Sequence, residues 1–233
     1  MFGVNYTTPG VMAWRSAEQI NSAMARVYGH MSLAVITSMI VSYLIGTTPA
    51  LLAFFFTGVM KWIVIFAPLA AVFAIVFLMH KVGKTGAQLM LHGFAALMGL
   101  SFATIFAVFT MGSIASAFMG TAILFTVMSG YGYFTKTSLD SMGKFMFVGL
   151  IAIVIASIVN IFIGSTVMQM VISALAIIIF LGLTAYDTQK IREEISVEAD
   201  SGLAEIRGAL TLYLDFINLF LNLLQLFGVK NND

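Results

Sequence analysis

No cysteine occurs anywhere in the sequence, which excludes disulfides, thiolate metal sites and thiol catalysis. Charge is nearly as scarce. Asp, Glu, Lys and Arg make up 9% of the 233 residues, where a soluble domain carries roughly a quarter. The net charge of +1 gives no reason to expect a nucleic-acid partner. Three histidines, His30, His80 and His92, are too scattered to suggest a metal cluster. No Ser-His-Asp arrangement, HExxH, phosphate loop or dinucleotide fingerprint stands in a plausible context, so neither an enzyme nor a bound cofactor is expected.

Hydrophobic residues are what the chain has in excess, at 61% with a mean hydropathy of +1.03. A helix needs about 20 predominantly apolar residues to cross the hydrocarbon core. Seven such runs are present, at 28–46, 59–79, 87–109, 113–134, 145–164, 167–187 and 208–228. The expected fold is therefore all-α, a seven-helix polytopic membrane protein. Its parts are an N-terminal interfacial segment (1–27), a membrane domain (28–228) and a short tail (229–233). The second run has the least definite start, because Leu51 to Phe56 is also apolar, and a short interfacial or re-entrant piece is expected there. The start of the chain does not read as a secretory signal and no cleavage is expected, since Arg15, Glu18 and Arg26 precede an apolar run long enough to span.

Nine of the eleven Lys and Arg residues fall on one side of the seven runs: Arg15, Arg26, Lys81, Lys84, Lys136, Lys144, Lys190, Arg192 and Arg207. By the positive-inside rule the N-terminus is expected in the cytoplasm and the C-terminus outside. Before the first run, Trp14, Ala17, Ile20, Met24 and Val27 lie near one helical stripe, as in an amphipathic lead-in at the interface.

Two acids stand apart from the edge charges. Asp187 closes the sixth run and Asp215 lies about two turns into the seventh. An ionised carboxylate at a helix centre costs about 2.5 to 3.5 kcal/mol on insertion scales, so both need a reason to be there. In the seventh run Thr211, Asp215, Asn218, Asn222 and Gln225 fall within an arc of about 80° at 100° per residue. One polar stripe on an apolar helix belongs inside a bundle, facing other helices or water. Asn and Gln there would serve as hydrogen-bonding glue between helices or as the lining of a polar interior.

Two antiparallel helices with a short connection can bring both carboxylates to one depth, where proximity and desolvation would favour shared protons. For Asp187 alone, the simpler reading is pairing with Lys190 or Arg192. The connection from Asp187 to Gly208, rich in Glu193, Glu194, Glu198, Asp200 and Glu205, reads as a solvated loop with a helical turn or two. Gly86, Gly93 and Gly99, with Ala87, Ala95 and Ala96, read as close-packing positions in the third run. His92 reads as a satisfied interior residue, and the sixteen methionines as filler of irregular apolar space.

The strings Ala185-Tyr-Asp187-Thr-Gln-Lys-Ile191 and Leu210-Thr-Leu-Tyr-Leu-Asp215-Phe-Ile-Asn218-Leu-Phe-Leu-Asn222 resemble the Bax inhibitor family. So does Leu97-Met-Gly-Leu-Ser101, and the hydrophobic profile matches from about residue 20 onward. The resemblance implies a seven-helix fold with a central last helix, in a bacterial inner membrane, and a pH-sensitive calcium leak gated by the pair Asp187 and Asp215. It also implies a basic residue near the end of the second helix, where this chain reads His80-Lys-Val-Gly-Lys84, and no acidic residue is present in the second run. Bacterial relatives are linked to regulation of a membrane-anchored protease.

Three functions follow as expectations. In the first, calcium passes down its gradient, with Asp187 and Asp215 as sensor, gate and weak transient ligands. Thr184, Thr188 or Asn218 would help, since calcium takes six to eight oxygens. In the second, the protein does not conduct and restrains a membrane protease or another membrane partner. In the third, a small solute is moved with protons through a polar interior at Asn222 and Gln225.

Overall fold

The computed structural model describes residues 15–197 and 201–231. Among these the elements are α1 (Ala17–Gly46), α2 (Pro49–Phe56), α3 (Met60–Leu78), α4 (Gly83–Phe102), α5 (Ile105–Val108), α6 (Met111–Phe134), α7 (Asp140–Ile163), α8 (Thr166–Val197) and α9 (Ser201–Phe227). No strand occurs among the described residues; a single bridge between Phe109 and Lys230 returns the tail against the start of α6. The fold is all-α and polytopic. Among the described residues six helices are long and apolar enough to cross a membrane. The count reaches seven if α2 and α3, bent by 78° from each other, form one broken span. Gly58, at φ 57, supplies the left-handed backbone at that break. The short piece expected around Leu51 is α2.

The lead-in is not a separate interfacial helix. Ser16 and Gln19 form a capping box, and from there α1 runs unbroken for 30 residues. Met24 and Val27 are buried in the bundle core, while Trp14 lies outside the described residues. The polar connection also departs from expectation. Instead of a solvated loop, α8 continues to Val197 and α9 begins at Ser201, so Glu193, Glu194 and Glu205 sit on helices, while Glu198 and Asp200 lie outside the described residues.

Helix α9 occupies the centre. Half of its most apolar stretch is buried, against 6% for α7, and it packs on α8, α1, α6 and α4. Lipid tails are as apolar as leucine, so helices in a bilayer associate through close van der Waals contact rather than hydrophobic expulsion. Glycines show where this occurs. A Cβ on Gly132 of α6 would strike the backbone of Ala185 on α8, and one on Gly99 of α4 would meet the backbone of Ser38 on α1. Gly93, expected at a packing position, faces open space instead. Around α9 the packing is aromatic: Phe118 and Phe125 of α6 meet Phe216 edge-on, and Phe94 of α4 meets Tyr213.

Candidate functional site

Asp187 lies ten residues before the end of α8, and Asp215 lies on the facing wall of α9. Both side chains line one cavity and are close enough for each to act electrostatically on the other. Asp215 is 4% exposed, and its Oδ2 has no donor among the described residues. Two ionised carboxylates offer only acceptors, so the pair can share a hydrogen bond only when one of them carries a proton. Neither acid is within ion-pair distance of a cation among the described residues. Lys190 instead pairs with Glu193 at 3.6 Å. Arg192 lies over the Tyr133 ring and donates to the Tyr133 carbonyl at 3.0 Å.

The pair opens onto a cavity of 780 Å³ between α7, α8 and α9, lined also by Thr211, Asn218, Tyr186 and Lys144. The seating of α7 there is close: a Cβ on Gly143 would fall 2.5 Å from the Tyr186 ring. That contact fixes the register that brings the neighbouring Lys144 to the cavity. No residue of α3 lines it. Groups of three or more His, Asp or Glu able to hold a metal are absent among the described residues. The side-chain oxygens lining the cavity are therefore two carboxylates with Thr211, Asn218 and Tyr186.

The family model described as inhibitor of apoptosis-promoting Bax1 matches residues 20–232. The chain belongs to the Bax inhibitor family. It is 40% identical to the inner membrane protein YbhL of Escherichia coli over 215 residues, covering 90% of this chain and 92% of YbhL. It is also 38% identical to an uncharacterized protein of Borreliella burgdorferi over 218 residues, covering 91% and 94% of the two chains. An uncharacterized protein of Rickettsia prowazekii is 36% identical over 219 residues, covering 92% of each.

In this Bax inhibitor family member the rest of the expected polar stripe is divided. Thr211 and Asn218 reach the cavity, each also bonded to a carbonyl one turn back on α9, at 3.2 and 2.8 Å. Asn222 likewise donates to Asn218 of its own helix at 2.8 Å and is not part of the cavity wall. Each of these bonds runs within α9 rather than to another helix. Gln225, expected in the polar interior, is exposed near the end of α9. Thr184 is fully buried but turned away, its hydroxyl donating to Phe180 at 2.7 Å. Thr188 pairs with Ser129 of α6 at 2.9 Å, and Ser129 continues to Tyr28 of α1.

A second buried acid was not visible beforehand. Glu205 in the first turns of α9 is 1% exposed. Arg26 of α1 reaches its Oε1 at 2.7 Å, and Lys84 of α4 lies 3.7 Å from its Oε2. Lys84 thus serves Glu205 and not the aspartates. Further along the same seam His30 meets Gln88 at 3.5 Å and His92 meets Thr37 at 3.3 Å. Ser38 bonds both Tyr213 and the Ala95 carbonyl at 2.7 Å.

Proposed function

We propose that this protein is a passive, pH-gated leak for cations, calcium above all, in a bacterial inner membrane like that named for YbhL, with its N-terminus in the cytoplasm. It acts without enzymatic chemistry or a resident cofactor. One observation carries this reading: a buried carboxyl group on the central helix shares a cavity with another carboxyl group. With one proton shared, a hydrogen bond joins α8 to α9. With none, two like charges face each other across the same gap, and the helices are driven apart. The two acids with Thr211 and Asn218 offer calcium fewer oxygens than it prefers, giving a brief stop rather than a binding site.

Calcium flux into proteoliposomes tests this at several pH values. Wild-type protein is expected to conduct in a pH-dependent way, and Asp215→Asn to conduct with a flat profile. An unchanged profile in that variant removes the mechanism. Absence of flux at every pH, with a membrane protease copurifying from native membranes, replaces the leak by a regulatory role.

A further inference from the structure

A second cavity lies on the other side of α9, in the half of the bundle away from the basic end. It holds 520 Å³ between α1 and α6, with Phe102 of α4 and Ile105 and Phe106 of α5 also in its wall, and Phe216, Ile217 and Phe220 of α9 form its floor. Helices α1 and α6 each pack on α9 but make little contact with one another. They are tied near the basic end by hydrogen bonds from Tyr28 to Ser129 and from Tyr133 to Asn21. Beyond those ties they diverge, and the central helix is reached from the side.

We infer that this groove is a binding site for one acyl chain of a bilayer phospholipid. The walls are mostly apolar side chains, with Ser38, Ser42 and Tyr43 of α1 the polar residues among them and no charged group, so they offer nothing to hold an ionic headgroup. The hydroxyl of Ser38, the polar residue nearest the floor, is committed to Tyr213 and to the Ala95 carbonyl. The lip is continuous with the lipid-facing belt: Met39 and Ile40 on one side and Met111 and Met119 on the other are each about half exposed. A dry apolar hollow leaves its lining atoms without dispersion partners, and such hollows take up apolar molecules. Here the phase in contact with the opening is liquid hydrocarbon. The occupant would touch α9 at Phe216 and Ile217, the two residues directly after Asp215, on the face opposite the aspartate cavity. The central helix would then be held between a proton-bearing contact on one side and a lipid chain on the other.

Fluorescence quenching by phosphatidylcholine brominated at mid-chain tests the site without reference to ion flux. In a background carrying Trp14→Phe and Trp62→Phe, Phe220→Trp places the probe on the floor and Met119→Trp places it on the lip. In brominated vesicles both are expected to lose most of their emission. Adding Ala115→Phe, which fills the groove, is expected to restore the floor signal and leave the lip signal quenched. A floor probe that keeps its emission while the lip probe is quenched overturns the proposal. So does quenching of the floor probe that Ala115→Phe fails to relieve. Ile114→Trp, on the wall contributed by α6, provides the same readout if Phe220→Trp does not fold.

Discussion

Glu205 and Asp215 sit on one helix, ten residues and about 15 Å of rise apart, both at most 4% exposed, yet their surroundings are opposite. Two cations from α1 and α4 converge on Glu205, whereas Asp215 shares its cavity with a second acid and has no cation within ion-pair distance among the described residues. Each keeps one oxygen without a hydrogen-bond donor, but Glu205 Oε2 has the Lys84 ammonium 3.7 Å away. Burying a carboxylate is costly in either place. At Glu205 the cost is offset within the structure, so the cluster serves to hold α9 against α1 and α4. At Asp215 it is left open, and only a proton or a cation from outside can offset it. An acid with its counterions built in is structural, and one without them responds to its surroundings.

The comparison breaks most visibly at Arg26. Arg26→Ala leaves Glu205 buried beside the more distant Lys84 and is expected to cost about 3 kcal/mol. That is the low end for a buried pair, because the guanidinium is half exposed. Asp215→Asn, by contrast, removes an uncompensated charge at constant shape, and its stability should equal or exceed wild type. Thermal unfolding in detergent compares the two variants directly.

Gly132→Ala presses on the aspartate side alone. The added Cβ meets the backbone of Ala185, two residues before Asp187, and overpacking of this kind costs about 1 to 3 kcal/mol. Flux should change along with stability, while crosslinking between positions 26 and 205 should not. Tyr213→Phe removes a fully buried hydroxyl from Ser38, which keeps the Ala95 carbonyl as its partner. A loss of about 1 kcal/mol is expected in the same melting assay.

Lys144→Gln sharpens the contrast with the least disturbance. The exposed amine lines the aspartate cavity without forming an ion pair among the described residues, so stability should move by no more than about 0.5 kcal/mol. With one cation fewer beside the acids, the pH profile of flux should be displaced to higher pH. A profile that superimposes on wild type would show that this lysine plays no part in gating.

The aspartate pair was legible in the sequence because charge inside apolar runs is expensive and therefore conspicuous. Helical periodicity was enough to set Thr211, Asp215 and Asn218 on one side of α9. It could not show that the side chain of Asn222 would turn back to its own helix, or that Gln225 would lie beyond the buried part. Glu205 was illegible for a different reason. Its partners, Arg26 and Lys84, are more than a hundred residues away, and a run rich in acids next to Lys190 and Arg192 reads locally as a solvated loop. The continuity of α1 through Met24 and Val27 was hidden likewise, since an interfacial stripe and a core stripe have the same spacing. The groove between α1 and α6 depends on two helices diverging, and no local pattern encodes that.

Helix α8 has 32 residues, which at 1.5 Å per residue is about 48 Å, well beyond the roughly 30 Å hydrocarbon core. Helix α9 begins again four positions after Val197 and packs along α8, so a pair of this length would stand out of the bilayer at one end. With the start of α8 at one membrane face, Asp187, about 32 Å along the helix at 1.5 Å per residue, would lie near the other. A rigid rod carries a sideways push at its tip down to its fulcrum, so a force applied in the aqueous phase would act directly on the spacing of the two acids.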